Sequence, residues 1–107
     1  MAEHHVIWSA AAADDLEAII DFIARDSADE ALRVLERLRL RTQRLTTLAS
    51  RGRIVPELRD EGIAIYRELL ERPWRIIYRL DGDRVLVLAV LDGRRDLVDL
   101  LLERVTR

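Results

Sequence analysis

Residues 72–96, RPWRIIYRLDGDRVLVLAVLDGRRD, decide the fold. Two runs rich in β-branched and aromatic residues, Trp74–Leu80 and Arg84–Leu91, flank Asp81-Gly82-Asp83, a strong turn signal. The stretch therefore reads as an antiparallel hairpin. A two-residue turn would set Arg79 opposite Arg84, a like-charge pair that weakens a ladder, so a three-residue loop over 81–83 is expected. Val85–Leu91 is apolar on both faces, which predicts an inner strand covered on both sides. Pro73 separates the hairpin from a preceding strand, Ile63–Leu70, so the C-terminal half holds a three-stranded meander.

Upstream, the period changes from two to three and four. His4–Trp8 reads as a short first strand, and Ser9 stands where a helix N-cap belongs. Leu16, Ile19, Ile20 and Ile23 form one apolar stripe, predicting a helix to about Asp26, with Asp14, Asp15 and Glu17 placed near its positive end. Ser27-Ala28-Asp29-Glu30 matches a capping box. Behind it a second stripe, Ala31, Val34, Leu35, Leu38, Leu45 and Leu48, extends the next helix to about Ser50, before Gly52. Two amphipathic helices joined by so few residues fold back on each other, and the sheet covers their shared apolar face. Leu97, Leu100, Leu101, Glu103 and Arg104 allow a short C-terminal helix. The expected class is α+β: an N-terminal strand, an antiparallel helical hairpin packed on a mainly antiparallel sheet, and a short closing helix.

The chain has 107 residues, enough for one domain spanning 1–107. No cysteine is present, which removes disulfide and thiolate chemistry and suits a reducing cytoplasm. The N-terminus lacks a signal-peptide pattern and no apolar run approaches a membrane span, so a cytoplasmic protein with no membrane partner is expected. All 18 basic residues are arginines, and the net charge is −2, which is unlike a nucleic-acid module. Arginine offers planar, bidentate recognition but no usable base.

Candidate chemistry is sparse. His4 and His5 are neighbours on a strand and point to opposite faces, so no metal site and no cofactor are expected. The four glycines are isolated at turns and form no phosphate loop. No histidine follows residue 5, so a general base would have to be a carboxylate, Tyr66 or Tyr78, and Tyr78 reads first as a core tyrosine. Arg67, Arg75 and Arg95 lie on or beside apolar strands. They fit a solvated face paired to Glu68, Asp92 or Asp96 as well as they fit an anion-binding patch.

Several segments, in order, resemble the RelE/ParE superfamily of bacterial toxins from type II toxin–antitoxin operons. They are Val6-Ile7-Trp8-Ser9, Ala13 with Asp15, Leu16 and Ile19, Leu48 with Gly52-Arg53, and Val55-Pro56-Glu57-Leu58. Arg67-Glu68-Leu69, Trp74-Arg75-Ile76-Ile77-Tyr78-Arg79 and Gly93-Arg94-Arg95-Asp96 complete the set. RelE-type members cut mRNA on the ribosome; ParE-type members poison DNA gyrase. Arg75 and Arg95 match arginines of the ribonucleases, with Tyr78 as a helper. Tyr66 and Glu68 stand where that branch carries lysines, Leu101 where it carries a tyrosine, and Asp92 where a related pattern carries a histidine. The resemblance thus implies a ParE-like gyrase inhibitor whose chemistry belongs to gyrase, not to this chain. It implies target-binding candidates Arg67, Arg75, Arg79, Arg94 and Arg95, and a ParD-like antitoxin from the same operon. Leu32, Leu40 and Trp74 are the antitoxin-facing candidates. The alternatives are a ribosome-dependent mRNA endonuclease and a degenerate toxin that only binds antitoxin. Homodimerisation is left open.

Overall fold

The computed structural model describes residues 3–92 and 97–105. Strand β1 (His5–Trp8) leads into helices α1 (Ala10–Ala24) and α2 (Ala28–Gln43). There follow β2 (Arg53–Ile54), the single-turn helix α3 (Pro56–Arg59), β3 (Tyr66–Glu71), β4 (Trp74–Asp81), β5 (Arg84–Asp92) and α4 (Leu97–Val105). The strands make one sheet in the order β1-β5-β4-β3-β2, antiparallel except where β1 runs parallel to β5. This is the expected α+β architecture.

Each cap explains its helix. Ser9 Oγ accepts from the Ala12 amide at 3.0 Å and starts α1 at Ala10, so Asp14 and Asp15 lie past the first turn. Their expected dipole role is therefore not what positions them. Ser27 Oγ accepts from the Glu30 amide at 3.1 Å, while the Glu30 carboxylate turns to Arg33. α2 stops at Gln43, short of the expected Ser50, and tightens into a 3₁₀ turn at Arg44–Thr46. The hydroxyls of Thr42, Thr46 and Thr47 bond back to carbonyls three or four residues earlier, competing with the helix ladder. Leu45 and Ala49 still face the core, which is why the apolar period outlasts the helix.

β3 begins at Tyr66, three residues later than expected, because Ile63 closes α3 instead. Pro56 occupies the first turn of α3, and Gly62, at φ +81°, ends it: the Gly62 amide reaches Arg59 O and the Ile63 amide reaches Leu58 O. The β4–β5 turn is tighter than the expected three-residue loop. Gly82-Asp83 form a two-residue connection with φ +59° at Gly82, and the register pairs Asp81 with Arg84. Arg79 lies opposite Leu86, so the like-charge clash is avoided by an opposite-charge pair at the turn.

β5 is the inner strand, and a bulge reconciles its two apolar faces. Tyr78 pairs with Val87 and Ile77 with Ala89, which leaves Leu88 extra. Val85 and Val87 therefore face the core under the helical hairpin, with Leu38, Leu45, Ile76 and Tyr78. Ala89 and Leu91 face a second core with Val55, Leu58, Tyr66 and Ile77, packed by Leu100 of α4. No helix among the described residues is long and apolar enough to cross a membrane.

Candidate functional site

Alternation along β3 and β4 sorts the arginines by face. Ile76 and Tyr78 point under the hairpin, so Arg75, Ile77 and Arg79 point to the opposite side, joined by Tyr66, Glu68 and Leu70 in register. Arg67 pairs with Tyr78 and lies on the hairpin side, where its Nη1 donates to Gly52 O at 2.8 Å. The sheet thus separates Arg67 from Arg75 and Arg79. Arg94 and Arg95 lie outside the described residues.

On the open face an alternating chain of charges runs Arg53–Glu68–Arg75–Glu57. Arg75 Nε donates to Glu68 at 2.6 Å, and its two terminal nitrogens grip both oxygens of Glu57 at 2.5 and 2.8 Å. Arg53 Nε reaches the other Glu68 oxygen at 2.6 Å. The Glu68 carboxylate is fully buried, so it depends on these two guanidinium groups for its charge to be tolerated there. The hydrogen bonds that Arg75 donates hold the Glu57 carboxyl below its ordinary range, and the Glu57 carboxylate that accepts them raises Arg75. Two carboxylates and two arginines balance, so this is a neutral structural network. Arg79, half-buried beside Tyr66 and Leu86, has no ion pair among the described residues.

Tyr78 is fully buried. Its hydroxyl donates to Ala49 O at 2.9 Å and accepts from the Gly52 amide at 2.8 Å, and burial pushes its pKa up. Gly52 is required by this contact: a Cβ there would stand 2.5 Å from the Tyr78 oxygen and 2.6 Å from Glu68 O. Tyr78 is thus a tether for the loop before β2.

A polar clamp that the sequence reading missed sits at the β5 bulge. Asp15 receives both terminal nitrogens of Arg104, at 2.5 and 2.8 Å, and the Val90 amide at 3.0 Å. Leu88 O accepts from Arg104 Nη1 at 3.2 Å and from Ser9 Oγ at 3.4 Å. Asp15 holds Arg104 in its charged form. One signal was available: Asp15 lies four and eight residues before Ile19 and Ile23, on the side of the helix that faces the sheet.

Two grooves flank α1. One, of about 380 Å³, is lined by Ala18, Ile19, Phe22, Ile23, Pro73 and Trp74, and Phe22 is 67% exposed with the Arg25 guanidinium over its ring. The other, about 590 Å³, runs beside β1 between α1 and α2, with Val6, Trp8, Leu16, Ile20 and Leu35 in its walls. Of the antitoxin-facing candidates, Trp74 lines the first groove, whereas Leu32 and Leu40 are exposed on α2 and line neither. Among the described residues no cluster of His, Cys, Asp or Glu could hold a metal ion.

Similarity to known proteins accords with this architecture. A protein of Caulobacter vibrioides named Toxin ParE3 is 31% identical over 93 residues, covering 86% of this chain and 89% of that one. The solved structure titled "Chromosomal ParDE TA system from P. aeruginosa" superposes with a TM-score of 0.68 at 25% identity, over 84% of this chain and 96% of the other. Residues 6–97, from β1 to the start of α4, match the family described as the ParE toxin of the type II toxin–antitoxin system parDE. With the strand order, the hairpin and the Trp74–Arg79 strand all inside that span, the chain belongs to the ParE toxin family of type II toxin–antitoxin systems.

Proposed function

We infer that this toxin acts by docking onto DNA gyrase and blocking its cycle, and that a cognate ParD-like antitoxin neutralises it. The observation that carries this reading is the state of the residues that would otherwise do chemistry. Arg75 has Nε and both terminal nitrogens engaged by Glu57 and Glu68, and the Tyr78 hydroxyl is buried between two backbone groups. Neither is free to stabilise a phosphorane or to move a proton to a substrate. What the open face offers a partner is surface: Arg79 and the exposed side of the Arg53 pair. Arg79 is the arginine best placed for target contact, while Leu32, Leu40 and Trp74 remain the proposed antitoxin-facing residues.

The test runs the purified chain in a gyrase supercoiling assay beside an in vitro translation assay. Loss of supercoiling with accumulated cleaved DNA and intact translation is expected. Cleaved mRNA with normal supercoiling overturns the reading in favour of the endonuclease.

A further inference from the structure

The sheet has two edges, and they are treated differently. β2 is only two residues long, carries Arg53 and runs into Val55-Pro56, and a proline and a charge are devices that stop strand addition. β1, His5-Val6-Ile7-Trp8, has neither. Its inner side is used by β5: the His5 amide donates to Asp83 O at 2.8 Å and the Ser9 amide to Val87 O at 2.9 Å. In a parallel ladder this places residues 5, 7 and 9 inward and turns the backbone groups of Val6 and Trp8 outward. The His4 amide, on that same outer side, is taken by Thr46 O at 2.7 Å. Past that point the edge borders the 590 Å³ groove, and no helix among the described residues closes over it. Ile7 is 42% exposed on the face away from the helices.

We propose that β1 is a self-pairing edge through which two copies of this chain join into one continuous sheet about a two-fold axis at Ile7. The register follows from which groups are free. An antiparallel partner centred on Ile7 sets Val6 opposite Trp8 of the second copy and Trp8 opposite its Val6. Both are hydrogen-bonded positions, and they use all four outward amide and carbonyl groups of each copy. Ile7 then meets its own counterpart at a non-hydrogen-bonded position, where side chains approach most closely, and its exposed apolar surface is covered. The pairing brings no like charges together: His5 falls opposite Ser9, and Val6, Ile7 and Trp8 are uncharged. On the helix side the two grooves become neighbours. Each rim carries Glu17 and Asp21 from α1 and Arg39 from α2, so both signs are available across the axis. This arrangement is isologous and closes at two copies, because each copy has one open edge. It is independent of the gyrase reading.

The absence of cysteine makes the test clean. The purified chain, free of antitoxin, is followed by sedimentation over a range of concentrations, with Ile7→Lys alongside. An apparent mass rising from 12.4 kDa toward twice that value is expected for the unaltered chain, and a constant monomer mass for Ile7→Lys with an unchanged circular dichroism spectrum. Ile7→Cys should form a disulfide dimer on mild oxidation, since Cα atoms at such a position stand about 4.5 Å apart, within bridging range. Phe22→Cys, which is more exposed than Ile7 but lies away from the edge, should nevertheless cross-link far more slowly. A monomer at every concentration overturns the proposal, as does an Ile7→Lys variant that dimerises like the unaltered chain. Equal cross-linking of the two cysteine variants also overturns it.

Discussion

Glu68 is the residue on which the open face depends. It is a fully buried carboxylate shared by Arg53 and Arg75, and removing one partner from such a pair leaves the other charges uncompensated. Glu68→Ala should lower unfolding stability by about 3 kcal/mol, a large share of the roughly 5–15 kcal/mol typical of a domain, read as a fall in the urea midpoint. Glu68→Gln, which keeps an acceptor, should lose less. Glu57 makes a pH-dependent contribution whose sign is set by its lowered pKa. Arg75 favours its charged form in the fold, so that stabilisation is complete above the ordinary glutamate value of 4.5 and is lost as pH falls through the lower folded value. As pH falls below the ordinary glutamate value of 4.5, the unaltered chain should therefore lose more stability than Glu57→Gln does. These residues were only partly legible in advance. Glu68 could be named as a partner for the arginines from its place beside Arg67. That it faces away from Arg67 and toward Arg53 and Arg75 follows from strand alternation across three strands, which requires the register of β2 against β3.

Among the elements, α4 is held to the body by Leu100, which enters the second core, and by Arg104, which binds Asp15 and Leu88 O across the bulge. Arg104→Ala should free this helix selectively. Hydrogen exchange at residues 97–105 and at the Val90 amide should speed up, with the β3–β4 amides unchanged; uniform acceleration would mean that the clamp supports the whole domain. The long elements were legible from their periods: both helices of the hairpin, the β4–β5 hairpin and the closing helix. The short ones were not. β2 has two residues and α3 has four, too few for either period to repeat, and the signals that define α3 (Pro56 at its start, Gly62 past its end) only read as a helix once its length is known. The extent of α2 was overestimated for the opposite reason: Leu45 and Ala49 keep facing the core after the threonines have broken the helix ladder.

At the scale of the whole molecule, the apolar pattern announced a helical layer over a sheet, and that is the fold. It did not announce that β1 would lie beside β5, because a four-residue strand fits any edge of matching length; the choice rests on the parallel register of His5–Trp8 with Arg84–Val87. The apolar run Val85–Leu91 did announce cover on both faces, but not the bulge at Leu88 that turns Ala89 and Leu91 to the face away from the hairpin and so sets which residues make the second core. The pairing of β1 with β5 bears on how the chain is made. β1 leaves the ribosome well before β5 and must wait for it, so contacts spanning some eighty residues close the sheet. The helical hairpin is complete long before then, and its apolar stripe stays bare until β3, β4 and β5 have emerged. During synthesis this toxin therefore passes through a long interval in which it has helices but no finished surface with which to do harm.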